Sequence, residues 1–233
     1  MRNYIILNGV NSNTITGLLI SKLPPITKPK IRTQREEIDG RDGDIVTKLG
    51  YSAYDKEIEI GLYENFDINE VITYFSTEGT ITFSNEPDKY YNYQILDQID
   101  YEKLIRFKTA TVRMHVQPFK YPTTEAPVTL NTGDNTIINA GNIYSKPVLN
   151  IVGSGAISIG LNGVQIFEID MSNASKITID TAQLEAYNPD TTDLLNRIVT
   201  GDYSLFKLQS GSNTITIEGT ITSATITGYT RWL

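Results

Sequence analysis

Over most of its length the chain alternates apolar with polar residues, the period-two pattern of strands buried on one face. In Lys56-Glu57-Ile58-Glu59-Ile60-Gly61-Leu62-Tyr63 the apolar positions are Ile58, Ile60 and Leu62. Thr109 to Val116 repeats the device, with Ala110, Val112, Met114 and Val116 expected inward and Thr111, Arg113 and His115 outward. Between these runs the period changes. Ile68, Val71, Ile72 and Phe75 fall at i, i+3, i+4 and i+7 and predict one amphipathic helix. Asp67 is placed to cap it, Glu70 sits three residues on as in a capping box, and Gly79 follows its end.

Beyond residue 126 the pattern is almost purely β. Ile157, Ile159 and Leu161 alternate up to Asn162-Gly163, and Val164 to Ile169 follows. Asn-Gly between two such runs predicts a hairpin, because both residues accept the positive φ of a type I′ turn. Lys176 to Asp180, Asn213 to Glu218 and Thr220 to Thr230 add strands rich in Thr and Ile, with turn signals at sandwich spacing. Gly153-Ser154-Gly155 lacks the Lys-Ser/Thr and the helix of a phosphate loop and reads as a turn between strands. No fixed-period repeat suggests a solenoid or propeller.

Composition divides the chain in two. Of the 20 basic residues fifteen precede residue 126, while the remainder of the chain holds fifteen Thr, fifteen Ile and ten Gly. The junction Gln117 to Pro127 carries three prolines, Pro118, Pro122 and Pro127, and reads as a short semi-rigid linker. The expected organisation is a strand-rich domain over residues 1–120 with one helix, a linker over 121–127 and a β-sandwich over 128–233. The net charge of −7 argues against nucleic-acid binding, which needs clustered Lys and Arg to displace counterions. The densest basic segment, Lys28 to Arg35, runs straight into Glu36, Glu37 and Asp39, so its charge largely cancels. The N-terminal apolar run is too short for a signal peptide and no stretch approaches a membrane span, so folding in a cytosol is expected.

Candidate chemistry is thin. There are no cysteines, which removes thiolate nucleophiles and Cys-based metal sites. The single histidine, His115, is expected mid-strand beside Arg113 and reads as a surface or interface residue, not half of a catalytic relay. In Asp39-Gly40-Arg41-Asp42-Gly43-Asp44 the carboxylates fall at positions 1, 4 and 6, not the 1, 3 and 5 of an EF-hand. Nothing marks any pair of these acids as desolvated for glycoside hydrolysis, so the segment reads as a solvated turn hinged on Gly40 and Gly43. Tyr90, Tyr91, Tyr93 and Tyr101 form the densest aromatic cluster; the first three are candidates for contact with a partner or a sugar, against ordinary strand packing. No catalytic residue, metal ligand or cofactor is expected.

The order of several segments resembles a known family. Ile38 to Thr47, the strand Glu57 to Leu62, the helix, Thr80-Ile81-Thr82-Phe83-Ser84-Asn85-Glu86-Pro87-Asp88-Lys89-Tyr90-Tyr91 and Gln117 to Pro122 are similar to the N-terminal domain of siphophage distal tail proteins. Asn139 to Asn142 with Ser145-Lys146-Pro147, Ile177 to Asp180, Leu208 to Asn213 and Arg231-Trp232 are similar to that family's C-terminal domain. The resemblance implies a mainly β fold: a β-sandwich with one α-helix, then a galectin-like β-sandwich. It implies a non-enzymatic virion component of the tail tip, assembled in the host bacterial cytoplasm as a homohexameric ring, single or stacked as a dodecamer. Partners would be the tail-tube protein, the tail-associated protein and receptor-binding proteins, with DNA only in passage and no membrane. An extended arm, the belt, reaches over the adjacent subunit in this family. Residues 28–55 match it here, having alternating charge, few large apolar residues and a Gly-hinged turn. Arg35, Glu37, Asp39, Arg41, Asp42 and Asp44 are then the expected subunit contacts. The rival readings are a carbohydrate-binding lectin resting on the tyrosines, a cell-wall hydrolase and a single-domain tail-tube protein.

Overall fold

The computed structural model describes residues 2–233 and divides into two units, residues up to Thr123 with Leu233, and Thr124–Trp232. Unit 1 comprises β1 (Ile5–Leu7), β2 (Val10–Asn11), β3 (Leu18–Lys22), β4 (Ile31–Glu37), β5 (Asp44–Tyr51), β6 (Tyr54–Leu62), α1 (Ile68–Phe75), β7 (Gly79–Phe83), β8 (Lys89–Gln94), α2 (Tyr101–Phe107) and β9 (Thr109–Pro122). Seven of its strands form one antiparallel sheet in the order β2-β1-β7-β8-β9-β6-β3. The sheet curls, so side chains from distant strands meet in one core: Ile5 and Leu7, Leu18 and Ile20, Ile58 and Ile60, Val112 and Met114. The alternation along β9 is as the sequence predicts, with Ala110, Val112, Met114 and Val116 buried.

Helix α1 closes this core with Val71, Tyr74 and Phe75. Asp67 caps it by accepting from the backbone N–H groups of Asn69 (2.9 Å) and Glu70 (3.4 Å). Glu70 does not complete a capping box; its Oε2 accepts instead from the Thr16 N–H at 3.0 Å, tying the helix to the loop before β3. The second helix, α2, has no counterpart in the predicted elements. It is only seven residues long and buries a single side chain, Leu104, so no stripe announces it. Its ends are still defined: Asp100 accepts from the Lys103 N–H at 2.8 Å, and Lys108 takes a left-handed conformation at its close.

Unit 2 comprises β10 (Val128–Leu130), β11 (Gly133–Asn139), β12 (Val148–Leu161), β13 (Val164–Met171), β14 (Lys176–Asp180), β15 (Glu185–Tyr187), β16 (Val199–Gly201) and β17 (Gly211–Thr227). The two long strands each serve both layers of a sandwich. The first part of β12 pairs with β14 and the late part of β17, whereas its second part pairs with β13 and the early part of β17. The inward faces supply one core around Phe167, Ile159, Ile179 and Ile217, completed by Phe206 from the segment before β17. The predicted hairpin is present, with Leu161 opposite Val164 and both Asn162 and Gly163 at positive φ.

Three expectations are corrected here. Gly153-Ser154-Gly155 is not a turn but an irregularity inside β12, where the strand crosses between layers. A Cβ on Gly153 would sit 2.6 Å from the Thr220 carbonyl oxygen, so the crossing needs glycine. The segments 213–218 and 220–230 are not separate strands: one strand passes through Gly219 to Thr227. The proline-rich stretch also contributes more to the sheet than a linker would, since β9 runs on to Pro122 and Tyr121 stands opposite Tyr90.

Candidate functional site

The segment between β3 and β6 belongs to neither sheet. Strands β4 and β5 pair only with each other, from Ile31 opposite Tyr51 to Glu37 opposite Asp44. Their residues read Ile-Arg-Thr-Gln-Arg-Glu-Glu and Asp-Ile-Val-Thr-Lys-Leu-Gly-Tyr, with charge or polarity on both faces and no residue in the core. Two strands without a buried face are marginal in water, so this ribbon has the composition of an element that gains its partner elsewhere. Ile38, Val46 and Leu49 are exposed on it.

Of the residues singled out in the sequence, the ribbon brings Arg35 and Asp44 together at 3.7 Å. Glu37 lies directly opposite Asp44, two like charges face to face. Asp39, Arg41 and Asp42 occupy the exposed turn, closed by the Arg41 N–H donating to the Ile38 carbonyl at 3.1 Å, with Gly40 and Gly43 both at positive φ. Among the described residues these carboxylates do not gather into a set able to hold a metal ion.

The root of the ribbon is fixed by a buried polar cluster that the sequence analysis missed. Lys56 is buried and donates to the Pro25 carbonyl at 2.9 Å, while Asn85 Nδ2 donates to the Pro24 carbonyl at 3.1 Å. At the base of the strands, the Ser52 N–H donates to the Lys30 carbonyl at 2.8 Å and Tyr51 meets the edge of Phe119 at 5.6 Å. Lys56 Nζ also lies 5.1 Å from the Tyr91 ring and 5.4 Å from that of Tyr54. Beside it, buried Lys120 donates to Glu86 Oε1 at 2.9 Å, and the Tyr91 hydroxyl donates to Glu86 Oε2 at 2.7 Å. One carboxylate thus accepts from a buried ammonium group and from a tyrosine hydroxyl. Burial lowers the Lys56 pKa to about 8 and nearby Lys120 adds to this, although Glu86 pulls the other way. The Tyr91 hydroxyl is pushed well up, first by burial and then by its bond to Glu86.

This has a measurable consequence. The folded chain releases the Lys56 proton near pH 8 and the unfolded chain holds it to about 10.5, so between these values the unfolded state binds more protons. Stability of unit 1 should therefore rise as pH increases through that window, by on the order of 1–2 kcal/mol between pH ~7.5 and ~9.5. Lys56→Met should flatten the rise. Urea unfolding of both proteins across this range checks it, and equal slopes would refute the assignment.

The tyrosines do not form a recognition surface together. Tyr91 and Tyr93 are core residues, because odd positions of β8 face inward, and the sugar-contact expectation for them is corrected accordingly. Tyr90 is half-buried and stacks on Tyr121 at 5.5 Å. His115 stands where its strand predicts, with Nδ1 2.9 Å from Asp55 Oδ1, in a surface row where Arg113 also pairs with Glu57. Unit 2 carries an open trough of about 680 Å³ along β12 and β13, lined by Ser158, Glu168, Asp170, Arg197 and Glu218 among others and by no aromatic ring.

No protein-family model matches this sequence, and no curated protein matches it as a relative. Among solved structures, the chain is similar to the Dit protein (gp 19.1) of SPP1, described as a paradigm of the hub adsorption apparatus in phages infecting Gram-positive bacteria. The TM-score is 0.66 at 14% identity, over 97% of this chain and 98% of that one. A structure of the phage P2 baseplate in its activated conformation with Ca aligns over 97% of both chains, with a TM-score of 0.46 and 9% identity. The mainly β fold that the family resemblance implied is borne out by the first of these likenesses, which at this identity speaks for the fold alone.

Proposed function

We propose that this chain is a structural hub protein of a siphophage tail tip, in which unit 1 assembles into a six-membered ring through the β4–β5 ribbon. The observation that carries the reading is the correspondence of fold with the SPP1 hub protein along both units, end to end. The ribbon supports it independently: a paired element with no core of its own stabilises nothing in a monomer and has both edges open for a partner. In a ring each subunit gives its ribbon to one neighbour and receives one from the other, a heterologous contact that closes under rotational symmetry.

The ring joins the tail tube on one side to the tail-associated protein on the other, and unit 2 serves as a docking module for receptor-binding proteins. The protein carries no catalytic role in this scheme, and DNA passes without specific binding, consistent with the net charge of −7. Its place is the virion, assembled in the host cytoplasm. A lectin role is less well supported, since two of the three tyrosines behind it are buried and the trough of unit 2 is not aromatic.

Negative-stain electron microscopy and sedimentation of the purified protein test the reading. Six-fold rings, single or stacked in pairs, are the expected result. A strictly monomeric species at every concentration overturns it.

A further inference from the structure

We propose that the ribbon turn is a site of spontaneous backbone modification, where Asp39 and Asp42 convert to isoaspartate, while the two Asn-Gly turns of the chain are held out of the same chemistry by their own side-chain bonds. The inference stands apart from the ring reading, because it concerns the single folded chain. Where glycine follows Asp or Asn, its backbone nitrogen can approach the side-chain carbon Cγ closely, since glycine carries no Cβ. The new N–Cγ bond closes a succinimide. With aspartate the amide proton and a carboxyl oxygen and its proton leave as water; with asparagine the carboxamide nitrogen leaves as ammonia. Water then opens the ring at either carbonyl, giving aspartate or isoaspartate.

The sequence holds four such pairs: Asn8-Gly9, Asp39-Gly40, Asp42-Gly43 and Asn162-Gly163. The two asparagine pairs lie in the same tetrapeptide, Leu-Asn-Gly-Val, once in each unit, and they fold alike. Leu7 stands opposite Val10 and Leu161 opposite Val164, with Asn8, Gly9, Asn162 and Gly163 all at positive φ. Each asparagine then binds a further strand, β7 or β17, through the same three groups. The Asn8 N–H donates to the Thr80 carbonyl at 3.0 Å, its Oδ1 accepts from the Thr80 N–H at 2.8 Å, and its Nδ2 donates to the Glu78 carbonyl at 2.9 Å. The Asn162 N–H donates to the Thr214 carbonyl at 2.8 Å, its Oδ1 accepts from the Thr214 N–H at 2.8 Å, and its Nδ2 donates to Asn213 Oδ1 at 3.3 Å. To reach its glycine nitrogen, either carboxamide must leave both of its bonds, which slows closure roughly tenfold or more.

The ribbon turn is the opposite case. Asp39 and Asp42 are exposed, and among the described residues neither carboxylate has a hydrogen-bond or ion-pair partner. A Cβ on Gly40 or Gly43 would meet nothing within 4 Å, so the turn is open around both glycines. Isoaspartate runs the main chain through the side-chain carbonyl and adds one methylene group to it. The change falls on the turn that sets the register of the ribbon, between Glu37 and Asp44, which stand opposite each other.

Asp39→Asn gives the open turn the chemistry of the two hairpins and makes the comparison internal to one molecule. The full-length variant is incubated at a dilution where sedimentation shows single chains, both folded in buffer and unfolded in urea. Deamidation at positions 8, 39 and 162 is followed by the mass increase of the peptides that contain them. In the folded chain, position 39 should deamidate about tenfold faster or more than Asn8 and Asn162. In urea, where only the shared Asn-Gly pair matters, the three rates should converge. Equal rates in the folded chain would overturn the protection of the hairpins. A position 39 that is fast in urea and as slow as the hairpins in the folded chain would overturn the open turn. The parent chain, aged as single chains in mildly acidic buffer, should collect isoaspartate at Asp39 and Asp42, read by isoaspartyl methyltransferase labelling of its peptides. Labelling at other positions and not at these two would overturn the assignment of the site.

Discussion

Replacing residues 36–45 by a single Asn-Gly turn is expected to leave a folded protein that no longer assembles. Arg35 faces Val46 across the ribbon, so an Asn-Gly pair between them closes a two-residue hairpin in the existing register. The excised segment holds Glu36 to Ile45, including the exposed turn and Ile38, and none of it belongs to the core cluster of unit 1. The melting temperature should therefore stay within a few degrees of the parent, since surface changes remote from packing usually cost under ~0.5 kcal/mol. Assembly is different, because a ring closed by one arm per subunit loses that contact at every interface together. Loss of roughly 3 kcal/mol per contact would move the assembly concentration more than about a hundredfold. Sedimentation of parent and variant decides it. Rings of unchanged stability would show that the ribbon is not the coupling element, whatever else the protein does.

The parts of this molecule that the sequence made legible are those with an even repeat. Strand β9 could be read residue by residue because every second position from Ala110 to Val116 is apolar, and the 161–164 hairpin could be read from two residues. The parts that escaped are those where tertiary structure decides. Helix α2 buries only Leu104, and β17 passes through Gly219 where local reasoning sees a break. The β12 irregularity exists because one strand must serve two layers, which a local turn signal cannot express.

For the site the same division holds. The ribbon was visible as a charged, Gly-hinged stretch, but the cluster beneath it was not, because lysine and glutamate are read as exposed. The parity of the strands did contain the signal. Lys56 shares the inward register of Ile58 and Ile60, and Lys120 that of Met114 and Val116. A lysine on the buried side of a strand should prompt a search for its carboxylate. The tyrosine cluster failed in the opposite sense: Tyr91 and Tyr93 attract attention as a motif, yet the same parity puts them in the core.

That carboxylate is the position at which a single substitution should cost most. Glu86→Leu removes the acceptor of the 2.9 Å bond from Lys120 and of the 2.7 Å bond from Tyr91, and leaves both donors in place. Breaking one side of a buried pair strands the other charge where water cannot reach it, at a cost of about 3–5 kcal/mol. The orphaned tyrosine hydroxyl adds to this. Lys56 loses the one nearby negative charge that supports its protonated form, so its proton should leave at lower pH and the rise of stability with pH should begin earlier. Replacing both partners, Glu86→Leu with Lys120→Met, removes the stranded charge and should recover more than half of the loss, since apolar substitutes for a buried ion pair are often neutral. Denaturant unfolding of the two single variants and the double variant gives the coupling energy directly. If Glu86→Leu costs under ~1 kcal/mol, water reaches the cluster and the ribbon root is not held as described. If the double variant is no better than the singles, packing rather than charge holds this corner of unit 1 together.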